Sequence, residues 1–301
     1  MVTVEKTPGG LVVSVESDLS LITRIRYLTV STLGHLLELW QYRELIRNLV
    51  VRDLKVRYRN SVLGILWSLF NPLLMMLVFT LVFTVMTRPY SVDKFPIFVL
   101  CAILPWNFFS AAVIGSIRSI IDNSALVNKV YFPREILTIS VILAGLVNFL
   151  IALLVLFPLL FIFQISLTPW ILFLPAIVVV QLLFTLGFGM LMATANVFYR
   201  DTQVIMEVLM LAWFFMTPIF YPFSILNNDY QLWEGVSIDI SRWARILNPM
   251  ASIIENYRTI LYNGAPPEPY FFFRTFLTAL GMFIVGLLVF RIYSRRFGEE
   301  V

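Results

Sequence analysis

The chain has few of the residues that build metal sites and disulfides. It contains one cysteine, Cys101, and one histidine, His35. A single cysteine can form neither an internal disulfide nor a cysteine metal cluster. A single histidine leaves little material for metal binding or histidine-based catalysis. We therefore expect no metal site, no catalytic residue and no cofactor in this chain.

Two motifs of phosphate and sugar chemistry are also missing. The sequence has no Gly-x-x-x-x-Gly-Lys-Ser/Thr loop, so the chain is not by itself a P-loop ATPase. No two aspartates stand at Asp-x-Asp spacing, which argues against a membrane enzyme that transfers glycans. We keep such an enzyme only as the weakest of three hypotheses.

Charged residues are scarce, at 13% of the chain, whereas hydrophobic residues make up 59%. Soluble domains carry about 25% charged residues. The stretches without Asp, Glu, Lys or Arg are residues 60–87, 95–117, 136–199, 208–228 and 275–290. About 20 apolar residues cross a bilayer core of roughly 30 Å, and the third stretch has the length of two crossings. The pattern predicts an all-α polytopic membrane protein with six transmembrane helices.

Basic residues border these stretches, so the net charge of +4 does not indicate nucleic-acid binding. If both termini are cytoplasmic, the inner segments carry 16 Lys and Arg residues and the outer segments carry 6. The positive-inside rule favours that orientation. The middles of the predicted spans contain no acidic residue. Ion-driven carriers usually keep ionisable groups there, so we do not expect transport driven by protons or sodium ions.

We divide the chain into four parts. Residues 1–33 form a cytoplasmic extension in which Leu11, Val13 and Val15 alternate with polar residues. Residues 34–60 form an amphipathic interface helix with a basic juxtamembrane segment. Residues 61–293 form the six-span domain, and residues 294–301 form a cytoplasmic tail. The apolar and cationic residues of the second part fall on two arcs of a helical wheel. This pattern is typical of a helix on the membrane surface, although packing on a partner domain is the alternative.

Within the six-span domain, residues 118–135 form a cytoplasmic segment and 222–269 an outside segment. The outside segment has apolar residues at helical spacing over 251–263, which is too short to cross a membrane. We expect short re-entrant or interfacial helices there, between spans five and six. In span four, Gly189 and Ala193 form a small-xxx-small spacing, which lets helices approach closely.

Five motifs in sequence order resemble the ABC-type polysaccharide-export permeases, the Wzm-like subunits for O-antigen and their teichoic-acid and capsule relatives. The resemblance covers about residues 36–293. It is carried by RDLKVRYRNSVLGILWSLFNP at 52–72, NKVYFPRE at 128–135, NVFYRD at 196–201, TPIFYP at 217–222 and LNPM at 247–250.

The resemblance implies a homodimer in the bacterial inner membrane, joined to two copies of a separate ATPase that binds ATP and Mg²⁺. The substrate would be a polysaccharide linked to a polyprenyl diphosphate, moved from the inner to the outer leaflet. A permease of the same superfamily for teichoic acid, capsule, a small lipid or a drug is the second hypothesis.

The resemblance also implies where the ATPase binds. A short helix within residues 122–135 would enter a groove on the ATPase and convert its closure into helix movement. The alternative is a plain turn with basic topology anchors. The candidate coupling residues are Asn123, Leu126, Lys129, Val130, Tyr131, Phe132 and Arg134.

Three further groups of residues are candidates for the transport path. The cations Arg52, Lys55, Arg57 and Arg59 precede span one and either anchor the topology or attract a lipid diphosphate, for which arginine is well suited. The candidate channel lining on spans one and five is Trp67, Phe70, Phe79, Phe83, Met206, Met210, Trp213, Thr217 and Phe220. Such aromatic faces stack on sugar rings, but they also serve ordinary helix packing.

The last group lies on the outside helix. Glu255 and Arg258 stand at i,i+3 spacing, where an ion pair stabilises a helix by about 0.3 kcal/mol. Together with Tyr257 they are candidates for a gate at the outer exit.

Overall fold

The computed structural model describes residues 2–7, 10–15, 40–59, 64–86, 92–130, 132–223, 229–233, 236–239 and 246–300. Of the candidate residues, Tyr131 lies outside the described part. The chain divides into two compact units, Met1–Leu45 and Ile46–Val301.

The first unit contains an antiparallel hairpin of β1, Val2–Thr7, and β2, Gly10–Val15. The hairpin lies in the segment predicted as a loosely ordered cytoplasmic extension, where the alternation of Leu11, Val13 and Val15 has the period of a strand. A second hairpin, of β3, Asp229–Trp233, and β4, Val236–Asp239, follows the predicted fifth span.

Helices make up most of the remaining described chain. The helices are α1, Arg43–Tyr58; α2, Trp67–Met86; α3, Phe95–Arg118; α4, Ser124–Lys129; α5, Glu135–Ile162; α6, Leu174–Phe198; α7, Thr202–Met216; α8, Pro249–Leu261; α9, Pro269–Ser294; and α10, Phe297–Glu300. Short 3-10 turns occupy Gly64–Leu66, Ile121–Asn123 and Pro169–Phe173. The helical class predicted from the sequence is confirmed at this level.

Four helical segments are long and apolar enough to cross a membrane: Phe95–Arg118, Glu135–Ile162, Pro169–Phe198 and Pro269–Ser294. They correspond to the predicted spans two, three, four and six. The apolar helices at spans one and five are shorter, Phe70–Phe83 and Thr202–Met216. The latter stops before Pro218, because proline has no N–H and disfavours helical backbone in the residue before it.

The long helix α3 is the centre of the second unit. Its buried face runs from Ile97 to Ile117, and it contacts α2, α5, α6, α7 and α8. A helix that is apolar on all sides is buried by neighbours rather than by one partner. The five helices that contact α3 are therefore positioned by their packing on it.

The closest helix pair is α6 with α9, at Gly187 and Gly286. A Cβ atom on Gly187 would collide with the backbone of Met282, and one on Gly286 would collide with the backbone of Gly187. Both residues must be glycine for the helix backbones to lie this close. Gly189, the residue singled out in the sequence, instead faces Ile142 and Ser116 on α5 and α3.

We predict that Gly187→Ala or Gly286→Ala will destabilise the protein by about 1–3 kcal/mol, because the added methyl group must displace backbone. Gly281→Ala is the matched control, since a Cβ at that position of α9 meets no atom within 4 Å. The thermal midpoint of the detergent-solubilised protein should fall by several degrees for the first two variants and stay unchanged or rise for the control. Equal midpoints for all three variants would contradict the close helix contact.

Candidate functional site

The predicted coupling segment is a compact turn between α3 and α5. It consists of the 3-10 turn Ile121–Asn123, then α4 and the residues up to Arg134. Val127 is buried, whereas Lys129 is exposed and Val130 is 53% exposed. Leu126, Phe132 and Arg134 are half-buried. The turn thus presents an apolar side chain beside a cation at its tip, which is a surface that another protein could bind.

The base of this segment is held by hydrogen bonds between helices. The hydroxyls of Ser119 and Thr138 lie 2.9 Å apart, and the Asn196 amide on α6 donates to the carbonyl of Ile117 at 2.9 Å. These bonds join the end of α3 to α5 and α6. A displacement of the segment would therefore move three long helices together.

The C-terminal residues also support the segment, a role that sequence analysis did not predict. The guanidinium of Arg134 donates to the carbonyl of Ser294 at the end of α9. The short helix α10 packs on α4, and Phe297 is fully buried against Phe290 and Phe198. Phe297, the one aromatic residue in a charged tail, was the only sequence signal of this contact.

The four cations before span one divide between two faces of α1. Arg52, Lys55 and Arg59 border one open cleft, whereas Arg57 borders another. Arg52 is also tied to the coupling segment, because its guanidinium donates to Asn123 Oδ1 at 3.1 Å and pairs with Asp53 at 3.0 Å. Lys55, Arg57 and Arg59 are exposed.

The second of these clefts lies between α1, α2, α3 and α5 and has a volume of about 350 Å³. We call it the amide cleft, because each of the three longer helices contributes an asparagine to it. Its lining is Arg57, Tyr58, Trp67, Asn71, Pro72, Leu104, Asn107, Phe108, Ala111, Gly145, Asn148, Phe149 and Ala152. No pattern in the sequence indicated the amide cleft.

The candidate channel residues of span five lie inside the protomer. Met206, Met210, Thr217 and Phe220 are buried, and Trp213 stacks edge-on against Trp106 and Phe109 of α3. The opposite face of α7 is exposed and includes Val208, Leu211 and Phe215. Met206, Met210 and Trp213 share the face of α7 that packs on the core, whereas Thr217 and Phe220 follow the end of the helix.

The candidate residues of span one have two different environments. Phe79 and Phe83 pack against Phe220, with ring centroids 4.3 Å and 5.1 Å away. Trp67 and Phe70 are 49% and 45% exposed on the protomer surface.

The candidate outer gate lies on α8, which is mostly buried by α3, α6 and α9. The Tyr257 hydroxyl donates to Gln181 Oε1 at 2.7 Å, and the Gln181 amide donates to the carbonyl of Pro105 at 2.7 Å. The Asn248 side chain caps α8 and also accepts from Trp213 Nε1 at 2.8 Å. Glu255 is half-buried. The start of α8 is thereby fixed to the end of α7.

Arg258 is the most buried cation among the described residues, at 1% exposure. Its guanidinium lies 3.6 Å from the ring centre of Phe98 and donates to the carbonyls of Phe98, Pro218 and Ile219. Burial lowers the pKa of Arg258 to about 10, a shift that the nearby Glu255 opposes, so the group stays charged at neutral pH. Arg258 thus binds the backbone that leaves α7.

No group of three or more His, Cys, Asp or Glu side chains that could hold a metal occurs in the part of the chain that the structure describes.

Residues 44–262 match the family of ABC-2 type transporters. The chain belongs to this family. The matched region begins in α1 and ends after α8, so it includes the coupling segment, the amide cleft and Arg258. The predicted permease class is therefore confirmed, and this ABC-2 chain is a multi-pass membrane subunit and not an enzyme.

Individual relatives have similar lengths and carry export functions in their names. The O-antigen export system permease protein RfbA of Myxococcus xanthus is 38% identical over 235 residues, which cover 77% of this chain and 85% of the relative. A protein of the same name from Klebsiella pneumoniae is 30% identical over 82% of this chain and 91% of its own length. The polysialic acid transport protein KpsM of Escherichia coli is 24% identical over 82% of this chain and 92% of its own length.

We predict that Arg258→Met will destabilise this ABC-2 subunit by about 1–3 kcal/mol, because it leaves buried carbonyls without a donor. Arg258→Lys should restore little of the loss, since one ammonium group cannot reproduce the fork of the guanidinium. The control is Arg118→Met, which removes an exposed pair with Asp122 at 3.3 Å and should cost less than about 1 kcal/mol. Thermal unfolding of the purified protein is the measurement, and equal midpoints for Arg258→Met and Arg118→Met would contradict this role of Arg258.

Proposed function

We propose that this chain is the transmembrane subunit of an ATP-driven exporter that carries a lipid-linked polysaccharide, O-antigen or a similar polymer, across the bacterial inner membrane. The similarity to the Myxococcus xanthus permease, at 38% identity over 77% of this chain, carries the assignment of the substrate class. The absence of a P-loop in the sequence agrees with a separate ATPase that binds ATP and Mg²⁺.

The assembly would contain two copies of this chain and two ATPase subunits. Each copy would cross the membrane six times, with α2 and α7 completing the four longer spans and both termini in the cytoplasm. The excess of basic residues on that side supports the orientation. Membrane lipids would surround the assembly, and nucleic acid has no part in it.

ATP-dependent movement would enter through the coupling segment. Its exposed tip, with Lys129 and Val130, would sit in a groove on the ATPase, while Asn123, Leu126, Tyr131, Phe132 and Arg134 would complete the contact. The hydrogen bonds from Ser119 and Asn196 join the base of this segment to α5 and α6, and Arg52 joins it to α1. Differential binding of the tip in two ATPase states would thus shift several helices.

The polysaccharide would pass between the two copies, along α2 and α7. Trp67 and Phe70 are exposed and would contact it directly. The other candidate lining residues, Phe79, Phe83, Met206, Met210, Trp213, Thr217 and Phe220, pack inside the protomer, so they would join the lining only if α7 rotated during transport. Lys55, Arg57 and Arg59, with Arg52, would attract the lipid diphosphate at the inner leaflet.

At the outer exit, Tyr257, Glu255 and Arg258 would hold neighbouring segments in place. They would not form a charge pair that moves during transport. Arg258 holds the carbonyls of Pro218 and Ile219, and this contact would set where α7 ends. The gate would then move with α7 and α8 as one body.

Capsule export is the alternative with an observation in its favour, because the polysialic acid transport protein is similar over 82% of this chain. A teichoic acid, a small lipid or a drug would require the same coupling and a different path lining. Export of the surface polysaccharide in a deletion strain complemented with this chain distinguishes these substrates.

The test of the proposed function is purification of the tagged chain from its native membrane in mild detergent, with mass spectrometry of what accompanies it. We expect a P-loop ATPase in equal amount. Val130→Asp should abolish both this association and polysaccharide export, because it places a charge in the groove contact, while the side chain is exposed enough for the fold to accept it.

The control for that variant is Leu172→Asp, at an exposed apolar position beyond the other end of α5, which should keep the ATPase bound. A wild-type chain that purifies alone, or with glycosyltransferases, would overturn the proposed function. Normal export by Val130→Asp would overturn the assignment of the coupling segment.

A further inference from the structure

The amide cleft places polar side chains within stretches that otherwise carry no charge. Asn71, Asn107 and Asn148 lie in three different uncharged runs, residues 60–87, 95–117 and 136–199. The structure brings all three to one cavity of about 350 Å³. A side-chain amide in an apolar medium costs several kcal/mol, about 2–7, unless it is hydrogen-bonded. Asn107 and Asn148 are half-buried and Asn71 is exposed, so a ligand in the cleft would offer all three amides a hydrogen-bond partner.

The protein itself satisfies these amides only in part. Tyr58 donates to Asn148 Oδ1 at 2.7 Å, but Asn148 Nδ2 is buried and has no hydrogen-bond partner among the described residues. Asn107 donates to the thioether of Met75 at 3.9 Å, and a thioether is a weak acceptor. By contrast, Gln181 in the third run has both ends bonded, to Pro105 and Tyr257. Asn107 thus keeps hydrogen-bonding capacity that a ligand could use, whereas the Asn148 amide would have to turn toward the cleft to donate to one.

The other lining residues indicate the chemistry of such a ligand. Arg57 supplies one guanidinium at the edge, suited to a phosphate group. Trp67, Phe108 and Phe149 supply aromatic rings beside the amides, and amides together with rings suit a hydroxyl-rich group such as a sugar or glycerol. The volume lies within the range of ligand sites, roughly 300–1,000 Å³.

A small apolar recess of about 10 Å³ adjoins the cleft between α2, α3 and α5. It shares Pro72, Leu104 and Ala152 with the cleft and adds Leu73, Leu100, Val155 and Leu156. A polar site bordered by an apolar helix surface matches a molecule with a polar head and a hydrocarbon chain, which is the chemistry of a lipid.

We propose that the amide cleft binds the phosphate-bearing, hydroxyl-rich head of a membrane lipid, with the start of its hydrocarbon chain against the apolar residues that border the cleft. Asn71, Asn107 and Asn148 bind the hydroxyls, and Arg57 binds the phosphate. Two lipids have this chemistry, the lipid-linked glycan and a phosphatidylglycerol-like phospholipid. The assignment to the lipid-linked glycan rests on the proposed function, and the assignment to a phospholipid does not.

The test is extraction of the lipids that remain on the purified chain after extensive detergent washing, with quantification by mass spectrometry. We expect one hydroxyl-rich phosphate lipid to be enriched over its share of the membrane. The double variant Asn107→Leu/Asn148→Leu removes the amides at similar volume and should lower this retention at least tenfold. Thr278→Val, which removes an exposed hydroxyl from α9, should leave the retention unchanged.

A second variant tests whether misfolding explains the effect of the first. Ala111→Phe fills the cleft from an exposed position and leaves every amide in place, so it should cause the same loss with an unchanged elution volume and thermal midpoint. Retained lipid with the bulk composition of the membrane, or equal retention by both cleft variants and the control, would overturn the proposal.

The identity of the retained lipid separates the two sources. A polyprenyl-linked glycan makes the cleft a substrate site, and phosphatidylglycerol makes it a phospholipid site; either result supports the binding chemistry. If no lipid is enriched while the ATPase still accompanies the chain, this proposal fails and the proposed function stands. If the lipid is enriched but no ATPase accompanies the chain, the binding proposal stands and the proposed function fails.

Discussion

The need to satisfy buried backbone groups without water governs the end of the molecule at which α7 meets α8. Helices bond their own backbone, but residues 217–222, which follow α7, are not helical, and their buried carbonyls must find donors within the protein. Arg258 supplies them to Pro218 and Ile219, and Phe98 covers the guanidinium face. This interaction ties the residues that follow α7 to α8 and to α3. A charge that is expensive to bury thereby holds these helix ends together.

The opposite end of α3 is organised around the proposed coupling segment. Hydrogen bonds at Ser119, Asn123 and Arg134 connect that short turn to α5, α1 and α9. The amide cleft lies beside the same helix α1, since Tyr58 bonds to Asn148 of α5. Movement of the turn would therefore reach both the basic residues and the cleft through α1. In the proposed mechanism, this arrangement would be the route from ATP hydrolysis on a partner to a lipid in the cleft.

The stretches without charge predicted the long helices well, because a run of about 20 apolar residues has few alternatives to a buried or membrane-spanning helix. Pro218 marks the end of α7, and the short outer helix at 251–263 corresponds to α8. Periodicity also grouped Met206, Met210 and Trp213 on one face. It could not tell whether that face meets a channel or the core, because both environments favour the same residues. The cleft escaped notice because its three asparagines are 36 and 41 positions apart in the sequence.

The sequence by itself determined the class of this protein, its family and the positions of its long helices, since these follow from local composition and from motifs that are contiguous in the chain. Only the tertiary structure decided that Gly187 rather than Gly189 meets α9, that Arg258 binds backbone, and that Phe297 supports the coupling segment. Each of these depends on which faces of distant helices come together. That choice is made by the packing of many side chains at once, and no single stretch of sequence contains it.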